Sequence, residues 1–174
     1  MIRNLIEYEE ISLLARPCST DRELAEAMIA EAQRMDLRPS LGDGLYLALV
    51  GRSEREQPLQ YKLLLEGGEY VARCGKSRLL TGVKTALAYY TLARLVRDGN
   101  IYPSSYGAVV KNDEHSVEAD QAERSRQYRE LFAQADRYMA EALAYVRNNS
   151  ANFPEYECPG KMTSNRTTFK IIGR

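Results

Sequence analysis

Residues 67–77 read Gly67-Gly68-Glu69-Tyr70-Val71-Ala72-Arg73-Cys74-Gly75-Lys76-Ser77, after the apolar run Leu63-Leu64-Leu65 and before a strongly helical segment. A strand, glycines, Gly-Lys-Ser and then a helix is the order in which a phosphate-binding loop is built. Reading this stretch therefore decides between an α/β nucleotide-binding fold and something else. The spacing argues against the loop. G-x-x-x-x-G-K-[ST] lets successive backbone N–H groups curl around a phosphate, but the position five before Gly75 is Tyr70, and Gly68 lies too far back. Glu69 and Tyr70 suit a phosphate cradle poorly, and no later apolar strand ends in an Asp that could hold Mg²⁺. The stretch reads instead as a hairpin: Gln60–Leu65 and Glu69–Arg73 as strands, turned by Glu66-Gly67-Gly68, where paired glycines supply the positive φ of a tight turn. Cys74-Gly75-Lys76-Ser77 then only joins hairpin to helix.

Downstream, from Ser77 to Asp98, Leu80, Val83, Leu87, Tyr90, Leu92, Leu95 and Val96 cover most of a helical circumference, and Ala86, Ala88 and Ala93 permit close approach. A helix apolar nearly all round belongs at the centre of a fold. Asp98-Gly99-Asn100 ends it, and Tyr102-Pro103-Ser104-Ser105 keeps the chain extended. Tyr106–Asp113 reads as a short strand or stretched connector. The last helix runs from about Val117 to Arg147. Its first turns are polar, and its second half carries Tyr128, Leu131, Phe132, Ala135, Tyr138, Met139, Ala142, Leu143 and Val146 at helical spacing.

Upstream, Tyr8–Ala15 is a short amphipathic segment stopped at Arg16-Pro17. A capping box at Thr20 and Glu23 opens the first full helix, with Leu24, Met28, Ala32 and Met35 on one face. Another short helix follows Pro39-Ser40, with Leu41, Leu45, Tyr46 and Leu49 inward and Gly51 near its end. Gly51–Pro58 is a polar loop. At the other terminus, Asn148-Asn149-Ser150 gives way to a tail with the turn signal Pro159-Gly160 and a β-branched, apolar finish at Thr167–Ile172.

The 174 residues suffice for one domain with a real core. The 24 basic residues balance the 24 acidic ones, so no global field draws the chain to nucleic acid or to an acidic membrane. No long apolar run and no signal-like N-terminus is present, which points to a soluble intracellular protein with no membrane partner. Cys18, Cys74 and Cys158 are far apart and odd in number, as in a reducing compartment. The sequons at Asn148 and Asn165 carry little weight without a secretion signal.

The search for chemistry finds no catalytic residue, metal site or cofactor site. His115 sits in a polar link without convergent ligands. Glu9-Glu10 and Glu23/Glu26 lie on solvated faces. Arg124, Arg126 and Arg129, like Lys76, Arg78 and Lys84, are interrupted by acidic residues, so no phosphate-tracking stripe forms. Tyrosines are the stronger signal: twelve of them, with no tryptophan, several in or beside linkers, where an apolar face with a polar tip serves protein–protein contact. Tyr102, Tyr106, Tyr145 and Tyr156 stand out. With the apolar residues of the tail, the candidate partner-interface residues are Tyr102, Tyr106, Phe153, Tyr156, Phe169, Ile171 and Ile172.

The segments SLGDGLYLAL (40–49), LLEGGEY (64–70), TGVKTALAYYTLARLV (81–96), SSYGAVVKNDEHS (104–116) and NNSANFPEYEC (148–158), in that order, resemble head–tail connector (head-completion adaptor) proteins of tailed bacteriophages, in the form found in phages and prophages of Bacteroidetes. The resemblance runs from about Leu13 to Tyr156 and rests on the combination of segments. It implies a structural, non-enzymatic role in the virion neck, after assembly in the bacterial host cytoplasm. It also implies a ring, typically a dodecamer, that docks on the portal protein and bridges it to the next tail component, with non-specific contact to packaged DNA in the channel. No catalytic residues transfer with it. A small helical DNA-binding module is the alternative, and a divergent nucleotide hydrolase the third reading.

The expectation is therefore a mainly α domain, residues 1–150, with about four helices around a central apolar helix and a small β-hairpin near residues 60–73. An extended C-terminal arm, residues 151–174, is expected to leave the domain from Phe153 onward and to dock on a neighbouring subunit or the portal.

Overall fold

The computed structural model describes residues 3–18, 20–52, 57–72, 74–98 and 120–156, and the strand backbones 101–104 and 107–110. The fold is mainly α, with helices gathered around one central helix and small antiparallel hairpins beside them.

Helix α1 (Tyr8–Leu14) begins where the Glu7 amide donates to the Glu10 carboxylate at 2.8 Å. Helix α2 (Arg22–Ala32) is capped by Asp21, whose Oδ1 accepts from the Leu24 amide at 3.1 Å. The cap is thus one residue later than the expected Thr20. From α2 the chain runs unbroken through a π-helical turn, Gln33–Leu37, into the short α3 (Arg38–Leu41). A π turn holds one extra residue, and each residue rotates a helical face by about 100°. The inward face therefore comprises Ala25, Ile29, Ala32, Leu37 and Leu41, while Met35, expected inward, is 63% exposed. The same turn buries Gln33. Its Oε1 accepts from the Leu5 amide at 2.8 Å, and its Nε2 donates to the Tyr46 hydroxyl at 3.1 Å and the Arg3 carbonyl at 3.0 Å. That one side chain pins the N-terminal segment to α4 (Asp43–Gly51), which buries Leu45, Tyr46, Leu49 and Val50.

The expected strand Gln60–Leu65 is a helix, α5 (Leu59–Glu66). Pro58 sits at its N-cap, with its carbonyl taking the Tyr61 and Lys62 amides. The buried side chains Tyr61, Leu64 and Leu65 follow the i, i+3, i+4 spacing of a helix. A short apolar run between turn signals reads equally well as strand or helix, and here its packing settles it.

The hairpin is accordingly displaced along the chain. Strand β1 (Gly68–Val71) pairs antiparallel with β2 (Ser77–Leu80), in the register Gly68↔Leu80, Glu69↔Leu79, Tyr70↔Arg78 and Val71↔Ser77. The Cys74-Gly75-Lys76 stretch lies in its turn: Ala72 N–H donates to the Lys76 carbonyl at 2.9 Å, and Gly75 N–H to the Ala72 carbonyl at 2.8 Å. Ser77 opens a strand, not the helix that a phosphate loop leads into.

The central helix α6 starts at Val83 rather than Ser77 and ends at Asp98 as expected. Buried residues ring it on all sides, from Val83 through Leu87 and Tyr90 to Leu95. It packs against α1, α2, α5 and, most extensively, the long α7 (Gln121–Asn148). At 28 residues, α7 is about 42 Å long. Its buried stripe is Leu131, Ala135, Met139, Ala142, Tyr145 and Val146, with Phe132, Tyr138 and Leu143 half-buried at its margin. Between α6 and α7, β3 (Ile101–Ser104) pairs antiparallel with β4 (Gly107–Val110).

Two glycines set the junction where α5, the first hairpin and α6 meet. Gly67 and Gly82 both have positive φ, 85° and 94°. A Cβ on Gly82 would lie 2.6 Å from the Gly67 nitrogen, and one on Gly67 would lie 2.4 Å from the Leu80 carbonyl oxygen. The backbones touch here, and neither position has room for a side chain.

Candidate functional site

Among the described residues Leu13, Met35, Leu47, Leu59, Val71 and Leu79 are large apolar side chains left in solvent, and the last two share one face of the β1–β2 hairpin. Residues paired across a ladder share a face. Tyr70 and Leu80 lie on the inner one. Leu80 is buried, and the Tyr70 ring meets Tyr145 of α7 edge-on with centroids 4.8 Å apart. At the end of β2, Thr81 donates both its amide and its hydroxyl to the Glu141 carboxylate of α7, each at 3.0 Å. The hairpin is therefore held rigidly by its inner face. The outer face carries Glu69, Val71, Ser77 and Leu79, with Val71 66% and Leu79 75% exposed. Sequence reasoning missed this pair because it placed the strands one element too early. With the observed register, period-2 alternation alone would have set Val71 and Leu79 opposite Tyr70 and Leu80.

Of the candidate interface residues, the structure describes the side chains of Phe153 and Tyr156 alone. Tyr102 lies on β3, paired with Val109. Tyr106, Phe169, Ile171 and Ile172 fall outside the described residues. Phe153 is not an outward anchor: it is 1% exposed, tilted against Tyr61 at 5.0 Å and edge-on to Tyr145 at 5.7 Å. Tyr145, read as a linker anchor, is likewise 3% exposed and part of the core. Tyr156 is half-buried against the core.

After α7, a 3-10 turn at Ser150–Asn152 folds the chain back across α4 and α5. The Glu155 carboxylate accepts a hydrogen bond from the Tyr61 hydroxyl and a 3.1 Å bond from Arg52. Its backbone crosses α4 at Gly44, where a Cβ would stand 2.4 Å from the Glu155 carbonyl oxygen. The Tyr61 hydroxyl, helped by Arg52, holds the Glu155 carboxyl below the usual carboxylate range, while burial foremost and the bond to Glu155 push the Tyr61 hydroxyl up. Residues 153–156 thus belong to the body, and the expected arm does not begin at Phe153.

Two polar links set the body's interior. Arg94 of α6 pairs with Asp36 of the π turn through its Nε at 2.8 Å and Nη2 at 3.0 Å, and its Nη1 reaches Glu31. The Arg94 and Asp36 side chains are each only 9% exposed. The Tyr90 hydroxyl donates to Asp136 of α7 at 2.6 Å, and burial foremost, then that carboxylate, pushes its ionisation far up. Among the described residues no group of His, Cys, Asp and Glu side chains is arranged to hold a metal ion. Cys18 is half-buried with its thiol pushed up by burial, Cys74 is exposed, and Cys158 and His115 lie outside the described residues. No described helix is long and apolar enough to cross a membrane.

Residues 37–166 match a protein family of unknown function, DUF6712, and the chain belongs to that family. No curated protein and no solved structure matches it.

Proposed function

We propose that this protein is a ring-forming head–tail connector subunit of a tailed phage, docking on the portal protein and bridging it to the next tail component. The observation that carries the reading is the outer face of the β1–β2 hairpin. It presents Val71 and Leu79 to solvent on a hairpin whose other face is fixed to α7 by Tyr70, Leu80 and the Thr81–Glu141 bonds. A rigidly mounted apolar patch away from the core suits a repeated protein–protein contact. In a ring each copy offers two different surfaces to its two neighbours, and the contacts close by rotation. The five segments that resemble the connector proteins support the same reading. Two of them, LLEGGEY and TGVKTALAYYTLARLV, meet at the Gly67–Gly82 junction, which mounts the hairpin on the central helix.

Electron microscopy of the purified protein, alone and mixed with a tailed-phage portal protein, tests this. Rings seated coaxially on the portal are expected. A protein that leaves portal particles bare yet binds DNA with steep salt dependence would support the helical DNA-binding module instead.

A further inference from the structure

The hairpin that carries the exposed pair is also an incomplete sheet. Among the described residues β1 and β2 pair only with each other, so each strand has an outer edge without a third strand. Such an edge is a template for a further strand. The chain holds a segment of matching chemistry beyond the described residues: Thr167-Thr168-Phe169-Lys170-Ile171-Ile172, β-branched and aromatic at all but one position. As a strand it would place Thr167, Phe169 and Ile171 on one side.

Its starting point is fixed close by. Phe153 is locked against Tyr145 at 5.7 Å, and Tyr145 meets Tyr70 of β1 at 4.8 Å, so a single ring separates the base of the tail from the hairpin. Glu155, held by Tyr61 and Arg52, sets where the chain leaves the body. Residues 157–166, extended, span up to ~33 Å, ample to bring Thr167 to either edge of the hairpin. A tether of that length presents its end at millimolar effective concentration, which favours the chain's own tail over another copy's.

We infer that the β1–β2 hairpin is a strand-acceptor site and that its resident strand is the same chain's Thr167–Ile172. A third strand borders only one of the two, so Phe169 and Ile171 lie beside Val71 where it adds to β1 or beside Leu79 where it adds to β2, and cover that side chain in part. An assembly partner that uses the hairpin then meets a three-stranded sheet, or displaces the third strand.

Hydrogen exchange on the full-length protein tests this, comparing wild type with Phe169→Asp/Ile171→Asp and with a chain ending at Gly160. In wild type the outward-pointing amides of the strand that accepts it, residues 68–71 or 77–80, should be protected. In both variants they should exchange about ten-fold or more faster, while α6 amides stay unchanged. Equal exchange in all three proteins would overturn the proposal. So would protection that rises with protein concentration, which would assign the added strand to a second copy.

Discussion

Helix α6 and the β1–β2 hairpin are joined by Thr81-Gly82 alone, yet they spend their apolar residues in opposite ways. On α6, Val83, Ala86, Leu87 and Ala93 are fully enclosed, and even Lys84, Thr91 and Arg94 are buried. On the hairpin, only one face turns inward, and Val71 and Leu79 stay in solvent. Both stretches are rich in aliphatic side chains, so hydrophobicity does not distinguish them. Period does. A 3.6-residue repeat with neighbours on every side encloses a helix completely, whereas a two-residue repeat on a two-stranded sheet always leaves one face over. Helix α6 is enclosed and the hairpin is not. Changes to the first should cost stability, and changes to the second should cost association.

The largest loss is expected from Arg94→Met. It leaves Asp36 charged and 9% exposed without its bidentate partner, and breaking a buried pair typically costs about 3–5 kcal/mol. Chemical denaturation measures it; a loss within ~0.5 kcal/mol would mean the pair is idle. Leu87→Ala, at a fully buried position facing its neighbours on all sides, should cost about 2–5 kcal/mol. Leu143→Ala should cost clearly less, since Leu143 sits at the margin of the α7 stripe. Gly44→Ala forces a methyl group against the Glu155 carbonyl and should cost about 1–3 kcal/mol. It should also raise the exchange of the Phe153 and Tyr156 amides ahead of the rest.

The C-terminal return adds a pH dependence with a definite sign. The Glu155 carboxyl is held below its ordinary range in the folded state. Its contribution is therefore complete above the ordinary carboxylate pKa and is lost as pH falls through the depressed folded value. Glu155→Gln should flatten the acid limb of a stability-versus-pH curve while leaving a smaller, pH-independent loss near neutrality. An unchanged acid limb would show that the carboxylate is not what holds residues 153–156 down.

The sequence made the enclosed region far more legible than the open one. The ring of apolar residues from Val83 to Leu95 and the stripe from Leu131 to Val146 are long enough for helical period to show, and both are helices where the pattern puts them. Short runs were less readable. Leu63-Leu64-Leu65 and Leu79-Leu80 are apolar in any register, so the hairpin was expected one element early and α6 six residues too long. The π turn defeats a fixed 3.6-residue count, which is why Met35 was expected inside and Gln33 was not noticed. Phe153 follows a turn and precedes a proline, and nothing near it in sequence says that Tyr61 and Tyr145, from two different helices, close over it. Contacts of that kind belong to the tertiary fold and leave no local pattern. The candidate site was hidden for the same reason, since Val71 and Leu79 become a pair only through the register Glu69↔Leu79 and Val71↔Ser77.

The measurement that bears most directly on this account is a split between folding and assembly in the double variant Val71→Asp/Leu79→Asp. Both side chains are mostly exposed, so stability should change by no more than about 0.5 kcal/mol per site, and thermal unfolding should stay close to wild type. Ring formation and portal binding, scored on the same preparation by electron microscopy, should be lost. A variant that unfolds readily would show that the hairpin's outer face belongs to the body's own core. A variant that folds and still assembles on the portal would contradict the assignment of this face to assembly.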